Sequence, residues 1–518
     1  SLNITNKYGN ARFSSNIAAD LTGSNINNIC GTLDINDLKM VSETDYYHLN
    51  NLNVTSGYDN RRHYLCLTSD FGNIELTGHY DYASLPASFL KMLKKHMPTM
   101  PGLPQQTPTA DNNFSIAVTL TKSDWLNKFL GVDLALLKPL ELTGNVNDSN
   151  GELTFSLNGK SFEYNGKQYG NSRLNMISTN DNMTATASIT QANSNGRNIT
   201  YNIDAIAADN RLTTSLSWKN NGTGTKEKSG NFRAVSQFYT SNGGQRTADI
   251  KIEKSHININ GARWNVAHAS IRYYKDMIAV DNFSISHGDQ HLTVNGKASK
   301  HPSDSLVIDL KDVDVEYVLD LVNFHSVNFS GMASGKAYVR SPFDKMDACA
   351  NLKVRNFEFE HGRMGTLNAA VAWNNDEKQI DIHGICNDGP DAMTFVDGYV
   401  SPKRNFIDLD INAAGTYIDF MQSFTRSFAE GFTGRANGKV KLAGPLSTIN
   451  LTGMLVVDGE AKIKALNCKY FLNKDTVRLI PNEIKLSDAI IRDIYGNRGY
   501  VNGFIHHKHL TRLSYDLN

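Results

Sequence analysis

"GMASGKAYVRSPFDKMDACANLKV" (Gly331–Val354) and "GRANGKVKLAGPLSTINLTGMLVV" (Gly434–Val457) are one pattern written twice, 103 residues apart. Gly331 matches Gly434, Gly335 matches Gly438, Lys336 matches Lys439, and Pro342 matches Pro445. Leu352 matches Leu455 and Val354 matches Val457. What recurs is turn punctuation and alternating apolar residues. Apart from that lysine, no acid, base or nucleophile recurs in the pair. Alternation with a period of two puts one apolar face on each strand. A repeated strand pair of this kind stacks against its neighbours into a quasi-linear array.

The rest of the chain agrees. "LVIDLKDV" (306–313), "KQIDIHGI" (378–385) and "NFIDLDINA" (405–413) alternate in the same way. Turns rich in Asn, Asp and Gly separate the strands, as in "NDSNGE" (147–152). A weaker third copy aligns Phe162-Glu163-Tyr164 with Phe357-Glu358-Phe359. The expected fold is mainly β: an elongated, repeating antiparallel sheet curled into an open groove, with a few short helices.

Helical spacing is found at 84–97, 123–131, 314–324 and 416–428. Residues 98–112 hold four of the twelve prolines and read as a linker or extended loop. The expected organisation is a β-array over 1–97 ending in an amphipathic helix, the linker 98–112, and repeats over 113–300, 301–404 and 405–518. The helix at 84–97 carries Lys91, Lys94 and Lys95; packing on the array is the favoured reading over contact with an anionic membrane.

Composition excludes some classes. Lys+Arg and Asp+Glu are each 52 in 518 residues, so the net charge is zero. A nucleic-acid binder held by counterion release needs a basic excess; nucleic acid is not an expected partner. No run of eighteen apolar residues marks a membrane-spanning helix. The opening "SLNITNKYGN" already reads as strand and turn rather than a secretory signal. The chain therefore reads as a piece of something larger.

Cys30, Cys66, Cys349, Cys386 and Cys468 show no CxxC spacing. They are expected to be small buried side chains, with disulfides a lesser alternative. The histidines of "HHKH" (506–509) lack a neighbouring acid, which argues against a metal site. Asp309 with Asp312, and Asp408 with Asp410, fall on outward strand positions. No Walker A, HExxH, GxSxG or GxGxxG motif occurs. Neither enzyme chemistry nor a cofactor is expected.

"SHININGARWNVAHASIRYYKDMIAVDNFSISHGDQHLTVNGKAS" (255–299), "GKVKLAGPLSTINLTGMLVVDGEAKI" (438–463) and "VRLIPNEIKLSDAIIRDIYGNRGYVNGFIHHKHL" (477–510) resemble the β-array of the TamB family, the inner-membrane subunits of the translocation and assembly module. That family is related to the AsmA-like, repeating β-groove lipid-transfer proteins. The resemblance implies a periplasmic protein that carries phospholipids between inner and outer membranes. It also implies a BamA-like barrel as outer-membrane partner and an N-terminal inner-membrane helix outside this chain. The groove would be lined by Ile257, Ile259, Ile278, Val280, Leu292, Val294, Leu306, Ile308 and Leu310. From the copied strand pairs and between them come Ala337, Val339, Leu352, Val354, Ile407, Leu409, Ile411, Val440, Leu442, Leu451, Leu455 and Val457. Two other readings stand beside this one. One is a scaffold that assists outer-membrane protein assembly by β-augmentation, which long bare sheet edges would favour. The other is a surface adhesin or glycan binder using Trp218 and Trp373; those tryptophans are expected instead to fill the sheet's inner face.

Overall fold

The computed structural model describes residues 12–42, 46–104, 111–192, 198–222, 227–317, 327–446, 448–508 and 511–517. The chain is mainly β, about 70% strand and 7% helix. It divides into two compact units, Ser1–Lys275 and Asp276–Asn518. In each unit the strands form an antiparallel sheet in which most strands pair with their neighbours in sequence. Among the described residues, no helix is long and apolar enough to cross a membrane.

The duplicated stretch keeps its geometry in both copies. Gly335 pairs with Leu352 and Gly438 pairs with Leu455, the same register 103 residues on. Both glycines take a φ near +150° (150° and 146°), which side chains rarely adopt. A Cβ on Gly335 would lie 2.1 Å from the Asn351 carbonyl oxygen, and on Gly438 2.2 Å from that of Met454. The repeat is thus a backbone device that lets neighbouring strands approach closely.

In the first unit the longest helix is α1 (Leu85–His96). Ser84 sits at its N-cap but does not cap it with its side chain. Its hydroxyl donates to the Asp81 carbonyl at 3.0 Å and joins a buried clasp. In that clasp Asn112 Nδ2 donates to Ser84 Oγ (3.0 Å) and Ser88 Oγ (2.9 Å), while Asp148 Oδ2 accepts from Ser88 Oγ (2.9 Å). Lys95 Nζ ties the far end of α1 to Asn180 Oδ1 (2.8 Å) and the Asn150 carbonyl (3.1 Å). Strand Gly72–His79 pairs directly with Asn113–Leu120. The excursion through α1 and the Pro-rich stretch therefore bridges two adjacent strands of one sheet. Residues 105–110 of that stretch lie outside the described residues.

Two other helical readings change. At 123–131 the turn is a π-helix, Leu126–Leu130, closed by Gly131 in the left-handed region. At 416–428 only Met421–Thr425 (α2) is α-helical. Strand Phe406–Tyr417 runs on through the first two residues, because Thr416 and Tyr417 find partners in Ala436 and Arg435. Of the helix at 314–324, residues 315–317 are helical and 318–324 lie outside the described residues.

Candidate functional site

Register carries each strand's alternation across a whole sheet. In the second unit one row of directly opposed residues runs Phe283, Val294, Ile308, Ala337, Ala350, Val371, Ile382, Gly398, Leu409, Leu442, Leu451. A second runs Leu292, Leu310, Gly335, Leu352, Ala369, Gly384, Val396, Ile411, Val440, Gly453, Leu479, Ile484, Ile505. A third takes Val354, Leu367, Cys386, Thr394, Ala413, Gly438 and Leu455. Val280, Gly296, Leu306 and Val339 form another. Ile278, Ile407 and Val457, opposite Ala298, Val400 and Ala436, complete that face. All the groove residues named from the sequence in this unit therefore share one side of the sheet.

The other side carries polar rows, with Ile385, Met454 and Val456 exposed among them. The row between the first two reads Thr293, Asp309, Lys336, Asn351, Ala370, His383, Asp397, Asp410, Lys441. Its charges meet one another. Lys441 Nζ lies 2.6 Å from Asp408 and 3.5 Å from Asp410, and the Asp408 contact raises its pKa. His383 lies 2.7 Å from Asp397. Asp309 is within 3.5 Å of Lys336, and Asp312, at a bulge, within 2.6 Å of Arg355. These carboxylates are paired surface charges.

The first unit is built alike. Ala19, Leu33, Val54, Leu67, Ile74, Val118, Leu142, Leu157, Leu174, Ala187, Ile203, Leu216 and Phe232 stand opposite one another in turn. Ile257 joins the same face opposite Gly230 and Trp264, and Ile259 lies two residues on. Trp218, paired with Gly230 and stacked on Phe232 at 5.7 Å, is on this face too. Trp373, opposite Ile380, is on the apolar face of the second unit.

The helices α1 and α2 stand against the apolar faces of their units. Met92 and Met97, in and just after α1, pack with Leu153, Met183, Ala207 and Phe238. In the second unit Phe420 and Phe424 pack with Ile407, Leu409, Leu442, Leu451 and Leu479. Ser423 Oγ fixes α2 to the Glu360 carbonyl at 2.6 Å. Beside α2 lies a cavity of about 480 Å³. Its floor is Leu455, Val457, Val477, Leu479, Ile484, Leu486, Ala489 and Ile505, and its wall is Phe420, Met421, Phe424, Phe428 and Phe432. Leu466, Tyr470 and Tyr500 stand at its rim. The volume is that of a small-molecule site. Its lining offers almost no polar group, so desolvation rather than hydrogen bonding is the force available to it.

Of the cavity's lining the sequence reading named Leu451, Leu455 and Val457 as groove residues and missed the rest. The alternation of "EIKLS" (483–487) was a usable signal for Ile484 and Leu486. The phenylalanines of the wall were hidden by the overlong helix.

The cysteines need a correction. All five are free thiols, and Cys386 is buried, but Cys66 is exposed. Leu65 and Leu67 take the apolar face, so the residue between them points outward. Among the described residues no group of three or more His, Cys, Asp or Glu side chains is placed to hold a metal. His506 lies 3.2 Å from Glu483, while the side chains of His507 and His509 lie outside the described residues. No protein-family model matches the chain, and no curated protein matches it significantly.

Proposed function

We propose that the chain is a non-catalytic lipid carrier. Phospholipid acyl chains lie along the apolar face while headgroups stay in water. The observation that carries this reading is the set of largely apolar cross-strand rows in each unit, with α1 and α2 packed against them and a nearly wholly apolar cavity at α2. Each buried methylene contributes about 0.8 kcal/mol, which opposes escape into water. Successive rows offer nearly equal environments, so a chain slides along them without a deep trap. That is a physical reason to repeat an apolar face and no reactive group. The resemblance to the TamB family adds the setting: the periplasm, between inner and outer membranes, with a BamA-like barrel as partner.

Photocrosslinking in living cells tests this. A photoreactive residue at Leu352 is expected to capture phosphate-labelled lipid, and one at Lys353, on the polar side, is not. Equal capture at both sites, or none at either, overturns the reading.

A second reading has one observation in its favour. Strand Arg12–Thr22 pairs, among the described residues, only with Cys30–Val41, and it is exposed along its whole length. Its free edge is a template for β-augmentation of a client strand. A client barrel crosslinking to Ser15 while Leu352 captures no lipid would favour that scaffold role.

A further inference from the structure

The polar side of the second unit is indented at Ala370, in an open hollow of about 650 Å³. Ala370 lies on strand Gly362–Asn374, directly between Asn351 and His383. Asn368, two residues earlier on the same face, lies between Lys353 and Ile385. Phe395 and Asp397 follow on the next strand, opposite Ile385 and His383. A methyl group ringed by longer side chains leaves the depression. The hollow runs from Ser334 across to Phe395 and Asp397. That is four strand spacings of about 4.8 Å, or about 19 Å.

The polar groups of the hollow are left open. Elsewhere on this face charges meet one another, as Asp309 meets Lys336 and Asp408 meets Lys441. In the hollow they do not. Among the described residues, the side chains of Asn351, Lys353 and Asn368 are in no hydrogen bond or ion pair, and all three are exposed. His383 is oriented by its neighbour: Nδ1 lies 2.7 Å from Asp397 Oδ1. The carboxylate accepts from Nδ1–H, which makes Nε2 of the neutral ring an acceptor. Each asparagine offers amide donors and an acceptor, and Lys353 offers donors only. Beside these groups Ile385, 42% exposed, and half-buried Phe395 supply an apolar surface. Lys353 and Asp397 cancel in charge, so the hollow favours no ionic ligand.

A neutral molecule with hydroxyls around its rim and C–H groups on its faces matches this set. Hydroxyls both donate and accept, which suits amides, an ammonium and an imidazole acceptor. The C–H faces suit Ile385 and the Phe395 ring. We propose that the hollow is a binding site for a neutral saccharide of a few sugar residues, on the side of the sheet opposite the apolar face. Trp218 and Trp373, which raised glycan binding from the sequence, lie on the apolar faces and take no part. The site uses neither the apolar rows nor the α2 cavity, so it does not rest on the carrier reading.

Titration of the whole chain with cellotetraose, maltotetraose and chitotetraose tests it, read by calorimetry and by saturation-transfer NMR. At least one of the three is expected to bind. Asn368→Ala removes one amide and is expected to weaken that binding about three- to tenfold, the loss of a neutral hydrogen bond. Ala370→Leu raises the floor without adding charge or an aromatic ring, and is expected to weaken binding at least about tenfold. Both positions are exposed, and circular dichroism of each variant is expected to match the parent. Ala489→Trp, in the α2 cavity, is expected to bind the saccharide unchanged. Failure of all three tetrasaccharides to bind, or binding that survives Ala370→Leu, overturns the proposal. So does a preference for tetragalacturonate over all three, because Lys353 would then be serving an anion. Lipid capture at Leu352 reads the carrier function separately, so either idea can fail alone.

Discussion

Filling the α2 cavity is the sharpest test of apolar binding. Ala489 is buried in the cavity floor and has room in front of it. In Ala489→Trp the indole occupies that space. An aromatic side chain buries about 150–250 Å², and at about 25 cal/mol per Å² the contact denied to a bound acyl chain is worth about 4–6 kcal/mol. A flexible chain recovers part of this by shifting along the row. Recovery of half leaves about 2–3 kcal/mol, or roughly a 30- to 150-fold loss of affinity. The assay is equilibrium binding of single-chain phosphocholines of increasing length, below micellisation. For the parent, affinity is expected to rise about fourfold per added methylene, from about 0.8 kcal/mol each, until the chain outgrows the cavity. In Ala489→Trp the plateau is expected at a shorter chain. Ala370→Trp, on the exposed polar row, is the control and is expected to match the parent. A parent affinity that ignores chain length would refute the reasoning. So would equal losses in both variants, because the face would then not matter.

Three further outcomes follow from geometry already described. Gly438→Ala places a methyl 2.2 Å from a backbone oxygen at a φ of 146°; a loss of at least about 1–3 kcal/mol is expected in chemical unfolding, with Gly335→Ala costing a similar amount. His96 is buried against Ser178 Oγ at 3.0 Å, and burial together with the Lys95 ammonium holds its imidazole below the ordinary 6.5. Because the unfolded chain takes up the proton first, stability contributed by neutral His96 is complete above pH 6.5 and declines as pH falls toward the folded value; His96→Asn is expected to flatten that part of a melting-temperature profile. Burial raises the Cys386 thiol to about 12, so in the native protein iodoacetamide is expected to modify exposed Cys66 and spare Cys386, read by peptide mass.

The two faces were legible in the sequence because a strand's alternation is local. "NFIDLDINA" places Ile407, Leu409 and Ile411 on one side whatever lies beside it, and pairing only has to keep register. The cavity was not legible. It depends on which strand ends lie near α2 and on Phe420, Phe424 and Phe428 standing across from Leu479 and Ile484. The misread helix at 416–428 shows the limit: its aromatic spacing suits a helix, but hydrogen-bonding partners on the next strand outweigh that preference at Thr416 and Tyr417. Cys66 shows the same limit on a smaller scale, since apolar neighbours on a strand announce the opposite side for the residue between them.

The 103-residue spacing has a consequence for length. Six strands, from Phe329–Arg340 to Phe406–Tyr417, separate one copy from the start of the next. Six is even, so strand direction is restored, and the matched glycine register returns the apolar residues to the same side. At about 4.8 Å per strand, one such block adds about 29 Å. A gene that duplicates or deletes one block thus changes the protein's span in fixed increments without inverting its surfaces, a ruler on which distance can evolve independently of chemistry.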